Sequence, residues 1–344
     1  MRLPASWPRF PAACWSRGDR AGGPAGRRPT PSGSGSPCFW PRRSTRWHGC
    51  WSRWTGRCGP MRRFMSAVSS WRGRPTMAEP SPSASLLTTS WDDGHPLDMR
   101  LAERLLRHGV TGTFYVPVRN RADRPVMTAA DLRELAAAGF EIGSHTADHR
   151  RLPGLSRADA GRQMADGRAA LEDILGRPVD GFCFPGGRPG RWGRLLAREL
   201  GFSYARTTQM LRIDAGADPF AMATTAQIYP HRPAALWRNW LRHGGGGSRL
   251  AILRALALRG GVAQDVALGD ALAVLARRTA LRHGVFHLWG HSWEIDARGL
   301  WGALDRALAA AAAAFPTESR VVNRALVTLR PVNAPPPRPQ DSFP

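Results

Sequence analysis

Two adjacent carboxylates, Asp92 and Asp93, close an apolar run, and two imidazoles, His145 and His149, follow about fifty residues later, four positions apart. One carboxylate and two imidazoles make a sufficient ligand set for a divalent metal that keeps open positions. The second carboxylate is then free to act as a base on water at that metal. The chemistry this points to is metal-assisted hydrolysis. Taken alone, Asp93-Gly94 reads equally well as a turn dipeptide. The His pair alone reads equally well as two exposed side chains, which a helical turn would put on one side. All four at the ends of two strands of one sheet favour a site.

The elements that must position them follow a βα rhythm from Met77 onward. Short apolar runs at 86–91, 111–116, 140–144, 182–184, 202–206 and 284–289 read as strands. Amphipathic stretches at 97–107, 131–138, 156–175, 191–200, 268–282 and 299–314 read as helices, with Thr128 and Ser156 as N-caps and Gly139, Gly176 and Gly201 as stops. Six or seven such units in one domain predict an α/β fold, and seven or eight normally close into a barrel whose chemistry lies at the C-terminal strand ends. Asp92 and Asp93 fall after the first strand, His145 after the third, Pro185-Gly186-Gly187 after the fourth and His291 after the last. The segment 231–262, with Gly244 to Gly247 between two Arg-rich apolar pieces, breaks the rhythm and reads as an insertion or lid.

Composition divides the chain into 1–76, 77–330 and 331–344. The first part holds 15 Arg against one acid (Asp19), seven of the 14 Trp and four of the five Cys, and so carries most of the net charge of +23. It shows no sustained apolar period and reads as non-globular, with translated sequence upstream of a start at Met77 favoured over a targeting peptide or a nucleic-acid-binding arm. Cys14, Cys38, Cys50 and Cys58 have no zinc-ribbon spacing. Arg62-Arg63 precedes no apolar segment suited to export, and no run approaches 18 apolar residues, so neither an export signal nor a membrane span is expected and the protein is placed in the cytoplasm. The Pro-rich tail reads as disordered.

With these residues in view, the chain resembles the polysaccharide deacetylases of the NodB-homology class, carbohydrate esterase family 4. That family's Thr-Phe-Asp-Asp-Gly motif corresponds to Thr89-Ser90-Trp91-Asp92-Asp93-Gly94, with variant residues before the pair, and its His-Ser/Thr-x-x-His motif is matched in full by His145-Thr146-Ala147-Asp148-His149. The resemblance runs from about residue 86 to 314. It implies a distorted (β/α)7-type barrel, with Asp93, His145 and His149 as ligands of a divalent metal, Zn with Co or Ni as alternatives, and Asp92 as the catalytic base.

Two departures set further expectations. The family's Arg-x-Pro-Phe/Tyr motif reads Cys183-Phe184-Pro185-Gly186 here, so the Arg that orients the base is absent. Gly186 retains an N–H for an oxyanion, and Arg188 is the candidate for the missing charge, weighed evenly against an idle loop cation. The last motif ends in a His that serves as general acid. The strand offers His287 and His291 on one face, and His291, nearer the C-terminal end, is favoured. His287 is then a buried, satisfied His or a substrate contact. Trp293, with Trp91 and Trp289, is a candidate aromatic floor for a sugar ring, against ordinary packing. The resulting expectation is a hydrolase that removes acetyl or other acyl groups from an amino sugar or polysaccharide. The alternatives are hydrolysis of a small linear amide or ureide and, further off, a non-catalytic binder of acidic polymers. The partner is a carbohydrate or small amide, not nucleic acid, and the oligomeric state is left open.

Overall fold

A strand buried on both faces must be apolar or have its polar groups satisfied within the sheet. β1 (Leu86–Asp92) is buried at every position, and its Thr and Ser side chains find partners such as the Thr111 carbonyl and His287. It pairs in parallel with β2 (Thr113–Val116) on one side and β7 (Val285–Gly290) on the other. The structure is a computed structural model and describes residues 84–257 and 264–329. The leader 1–76 with its four cysteines and the tail 331–344 lie outside the described residues.

β3 (Glu141–Ser144), β4 (Gly181–Cys183), β5 (Tyr204–Arg206) and β6 (Ala226–Gln227) complete a seven-stranded parallel sheet in the order β5-β4-β3-β2-β1-β7-β6. That is the cyclic order of a seven-strand barrel opened between β5 and β6. A single parallel bridge, Arg206 to Met222, spans the opening. The Thr207 N–H donates to the Met222 carbonyl at 3.0 Å, and the Thr225 N–H donates to the His287 carbonyl of β7 at 2.9 Å. The predicted distorted barrel is therefore present, with irregular closure at one seam.

The helices α1 (Asp98–Arg107), α2 (Ala129–Ala137), α3 (Arg157–Leu175) and α4 (Gly193–Glu199) follow β1 to β4 in turn. Capping chemistry fixes their ends. Thr128 and Asp131 form a reciprocal capping box at the start of α2. Ser156 caps α3, which stops at Gly176 in the left-handed region, φ 64°. The insertion folds as α5 (Pro233–Arg242) and α6 (Gly247–Ala257). The buried Arg249 explains part of its Arg content. Its guanidinium donates to the carbonyls of Trp240, His243 and Gly245 at the end of α5, at 3.1, 2.9 and 3.1 Å, satisfying oxygens that the helix leaves open.

α7 (Gln264–Ala280) and α9 (Trp301–Ala314) form on either side of β7 in the chain, as predicted. Three elements were not foreseen: the two-residue β6, the short α8 (Ser292–Ala297) after His291, and α10 (Asn323–Leu329). Each is too short for a hydrophobic period to register. Among the described residues no helix is long and apolar enough to cross a membrane.

One helix glycine governs the site. The buried stripe of α3 is Ala160, Met164, Gly167 and Leu171. A Cβ at Gly167 would lie 2.7 Å from the Thr146 carbonyl carbon and 2.9 Å from the Ala147 nitrogen. The loop carrying His145 and His149 thus rests directly on the helix backbone, held by the Ala147 N–H donating to the Gln163 carbonyl at 2.8 Å. In an exposed helix, Gly→Ala stabilises by about 1 kcal/mol. Here the methyl group meets rigid backbone, so Gly167→Ala is expected to destabilise by about 1–3 kcal/mol, the usual scale of overpacking. Chemical denaturation of the two proteins checks the sign.

Candidate active site

The predicted residues gather at the C-terminal ends of the strands. Asp92 is the last residue of β1, Cys183 ends β4, Arg206 ends β5, and His145 and His291 directly follow β3 and β7. Asp93 leaves β1 in the left-handed region at φ 78°, followed by Gly94 at φ 60°. A Cβ on Gly94 would come within 2.7 Å of Val116, so this turn requires glycine. Placing two carboxylates in sequence on such a turn sends them to different partners.

Asp93 faces the histidines. Its Oδ1 lies 3.0 Å from His149 Nε2 and 3.8 Å from His145 Nε2, yet this buried oxygen accepts no well-directed hydrogen bond. Its Oδ2 accepts from the Trp293 indole at 2.9 Å and has Arg124 Nη1 3.6 Å away. Burial pushes the Asp93 carboxyl up, but His149, His291 and His145 outweigh it and hold the group below the ordinary carboxylate range.

His145 is buried, and burial pulls its pKa down to about 4. Its Nδ1 sits 2.7 Å from the Cys183 carbonyl oxygen. A carbonyl only accepts, so Nδ1 carries the proton and Nε2 presents a lone pair. The spacing of the His pair had suggested a helical turn. Instead, the pair lies on an irregular loop in which Thr146 and His149 take left-handed φ values of 69° and 58°. Such strain persists only where surroundings over-determine it, and the α3 contact at Gly167 supplies that constraint.

Asp93 Oδ1, His145 Nε2 and His149 Nε2 all lie within 4.8 Å of one another. A carboxylate oxygen without a hydrogen bond, a neutral imidazole with its lone pair directed inward and a second imidazole are a donor set that fits a divalent cation. Asp92, His145 and Cys183 form a second group within the same distance. It fits less well, because burial drives the Cys183 thiol well above its ordinary pKa, and Asp92 is already engaged.

The partner of Asp92 is Arg206. One guanidinium nitrogen, Nη2, meets both carboxylate oxygens, and both side chains are buried. The Cys183 Sγ approaches Asp92 Oδ2 at 3.7 Å. Burial pushes the Asp92 carboxyl up, but Arg206, His145 and His291 together bring it below its ordinary value. Burial likewise disfavours the Arg206 charge, and Asp92 restores it with a net rise.

This corrects the expectation for Arg188, which is exposed on the loop beyond β4 and is not the cation at Asp92. Cys183 and Arg206 are register partners on adjacent strands. The guanidinium absent from the end of β4 arrives one strand over. The available signal was an Arg ending the otherwise apolar strand Tyr204-Ala205-Arg206, at the level where the other site residues stand. Gly186 is exposed at φ 66° in the turn Pro185–Gly187.

The two strand-β7 histidines part company. His287 is buried, with Nε2 2.8 Å from the Ser90 hydroxyl and Nδ1 3.2 Å from the Ala223 carbonyl. Burial, aided by Arg206, lowers its pKa to about 3. It is a satisfied interior imidazole and presents no nitrogen to a substrate. His291 is about one-fifth exposed, and its Nδ1 lies 2.6 Å from Glu294 Oε2. Burial lowers its pKa, but Glu294 and then Asp93 and Asp92 outweigh burial, so the net shift is upward. Glu294 also accepts from Gln227 Nε2 at 3.1 Å, and Gln227 Oε1 meets His231 Nε2 at 2.8 Å.

The aromatic floor is not formed. Trp91 and Trp289 are buried in the core. Trp293 stands at the rim, but the Arg124 guanidinium covers its ring at 3.8 Å, and its N–H is spent on Asp93.

Comparison with known proteins agrees with the motifs. Residues 79–205 match the family model described as "Polysaccharide deacetylase", and the resemblance read from the sequence holds for that segment. YxkH of Bacillus subtilis (strain 168), which carries the name of a polysaccharide deacetylase, is 25% identical over 129 residues, 37% of this chain. The chain spans only 46% of that relative's length. Among solved structures, the chitin deacetylase of Colletotrichum lindemuthianum is 17% identical with a TM-score of 0.45, covering 75% of this chain and 92% of that one. A family 4 acetyl xylan esterase from Clostridium thermocellum, solved with a cobalt ion, is 17% identical with a TM-score of 0.43, covering 72% and 94%. Likenesses this distant bear on neither activity nor substrate.

Removing Arg206 would leave a buried carboxylate without its cation. Arg206→Gln is expected to cost about 3–5 kcal/mol of stability, the scale for breaking a buried pair. Asp92→Asn combined with Arg206→Gln should recover part of that loss. A double-mutant cycle by denaturant unfolding measures the coupling, and strict additivity would show that the pair contributes nothing.

Proposed function

We propose that the protein is a metal-dependent hydrolase that removes acyl groups, acetyl above all, from an amino sugar or polysaccharide. The observation that carries this reading is the convergence of Asp93 Oδ1, His145 Nε2 and His149 Nε2 beside a second carboxylate, Asp92, with a cation of its own. The match of residues 79–205 to the polysaccharide deacetylase model supports the substrate class.

Asp93, His145 and His149 would hold the cation. A divalent ion there, Zn by the softness of the imidazoles with Co or Ni also suited, supplies Lewis acidity to the acyl carbonyl and acidifies water. Asp92 is the general base. Arg206 keeps it ionised and fixes its orientation while Asp92 takes a proton from the attacking water. The Gly186 N–H is a donor for the developing oxyanion.

His291, kept protonated by Glu294, gives its proton to the leaving amine or alcohol as the bond to the acyl carbon breaks. The acid is released as carboxylate and the sugar as free amine or alcohol. Asp92 held below its ordinary value and His291 above it support the reading of Asp92 as base and His291 as acid.

The decisive experiment is a screen of the metal-loaded protein for acetate release from N-acetylated and O-acetylated sugars, with ammonia release from small amides and ureides as the competing arm. Acetate release from sugars alone supports the reading, and ammonia release alone replaces it.

Two sets of variants test the roles. His149→Ala and Asp93→Asn should each lose bound metal by elemental analysis, since two remaining donors hold a cation weakly. Asp92→Asn should keep the metal and lose about 10²–10⁴-fold in turnover, the range for a general base. Full metal occupancy in His149→Ala would remove the ligand assignment.

The pH dependence separates His291 from other acids. Its folded pKa is raised, so the contribution it makes to stability is complete below the unfolded value of about 6.5 and is lost as pH rises through the folded value. The alkaline limb of kcat/KM should fall at that same folded value. Glu294→Gln removes the neighbouring charge, so the limb should move to lower pH. An unmoved limb would count against His291 as the acid. His291→Ala should cost much less on an activated aryl ester, whose leaving group needs no proton, than on an amide.

A further inference from the structure

Beside the catalytic residues, a cavity of about 650 Å³ opens between the start of α5 and the end of α8. Arg232, Arg238 and Arg298 line it with Tyr229 and His231, and no acidic side chain lines it. Arg232 and Arg238 are exposed and, among the described residues, form no ion pair. Arg298 is positioned by Tyr229. Its Nη2 donates to the Tyr229 hydroxyl at 2.6 Å, and its guanidinium stacks on the ring at 4.4 Å. Other arginines among the described residues, such as Arg104, Arg157, Arg194 and Arg324, are paired with carboxylates. Three arginines line one cavity without an acid among its lining residues, so an anion entering it would meet their positive charge unopposed.

The cavity is wired to the catalytic residues. His231, on its wall, meets Gln227 Oε1 at 2.8 Å; Gln227 donates to Glu294 at 3.1 Å; and Glu294 holds His291 at 2.6 Å. Glu294, the carboxylate this relay reaches, is occupied by His291 and Gln227. Three hydrogen bonds separate the proposed proton donor from the cavity wall. Burial lowers the pKa of His231 to about 4, which leaves it a neutral hydrogen-bonding group, and the positive charge of the cavity is the arginines' own.

We propose that this cavity is a subsite for an anionic group, a phosphate or a carboxylate, carried by the sugar substrate next to the acyl group that is removed. The inference rests on the deacylase reading for its link to catalysis, but the anion site stands on its own geometry. Guanidinium groups meet phosphate and carboxylate oxygens in pairs of charge-assisted hydrogen bonds, whereas a neutral polysaccharide offers them only weaker, uncharged acceptors. The preferred substrate is thus an acylated amino sugar bearing a phosphate ester or a neighbouring uronic acid.

The test uses the full-length, metal-loaded protein in two measurements. First, inorganic phosphate is titrated by calorimetry into the native protein, Arg238→Gln, Arg298→Gln and the double variant. Affinity should fall about tenfold per arginine removed, and native binding should weaken with rising salt. Phosphate binding that is unchanged in all three variants belongs to the metal and overturns the subsite.

Second, kcat/KM is compared for an N-acetylated amino sugar that is neutral, phosphorylated or linked to a uronic acid. The native protein should prefer an anionic form through KM, and the preference should fall about tenfold in either single variant. Which anionic form is preferred separates phosphate from carboxylate. Turnover without any anionic preference overturns the subsite and leaves the deacylase reading standing. Arginine-dependent phosphate binding without turnover of any sugar does the reverse.

Discussion

Two carboxylates adjacent in sequence, each only 3% exposed, are the constraint around which the rest of the site is arranged. Buried ionised groups are costly unless each is paired and hydrogen-bonded, and two side by side repel each other as well. The structure resolves this by divergence. The left-handed turn at Asp93-Gly94 sends Asp93 toward His145, His149, Trp293 and Arg124, while Asp92 keeps the strand geometry and meets Arg206. The two groups are neutralised in different ways, and that difference suits them to the different roles proposed for them. Asp93 leaves an oxygen free for a cation, whereas Asp92 is held ionised without taking part in the donor set.

The surrounding architecture follows from keeping these partners in place. Arg206 comes from β5, beyond the fourth strand, so the curl of the sheet must bring the end of β5 over the end of β1. The bridge from Arg206 to Met222 closes the seam at that same residue. The imidazole loop is pinned from below by α3, whose backbone approaches it only because position 167 is glycine. His291 is pinned by Glu294 one turn into α8. Each reactive side chain therefore has a second contact that fixes it before any substrate arrives, and such preorganisation is what catalytic geometry requires.

A relocated cation is a physical alternative to a conserved position. At the end of β4 this chain has Cys183, and the neighbouring strand supplies Arg206 in register with it. The charge delivered to Asp92 is the same from either strand, because only the distance and direction of the guanidinium matter. The Cys183 carbonyl still serves His145, so the backbone role of β4 survives the change of side chain.

Much of this was legible in the sequence because the signals are local. The alternation of apolar runs and amphipathic helices, the caps at Thr128 and Ser156, the stop at Gly176 and the placing of Asp92, Asp93, His145 and His291 at strand ends depend on spacing and residue type within a few positions. The sequence by itself therefore determined the fold class, the level at which the chemistry sits and the donor types available. It did not determine that Arg206 rather than Arg188 reaches Asp92, that His287 is spent on Ser90 and Ala223, that the His pair sits on a strained loop instead of a helical turn, or that three arginines of 232–298 converge on one cavity. Those facts depend on which groups the curl of the sheet and the close approach of helices bring together, over separations of up to about two hundred residues, and such pairings leave no trace in local spacing.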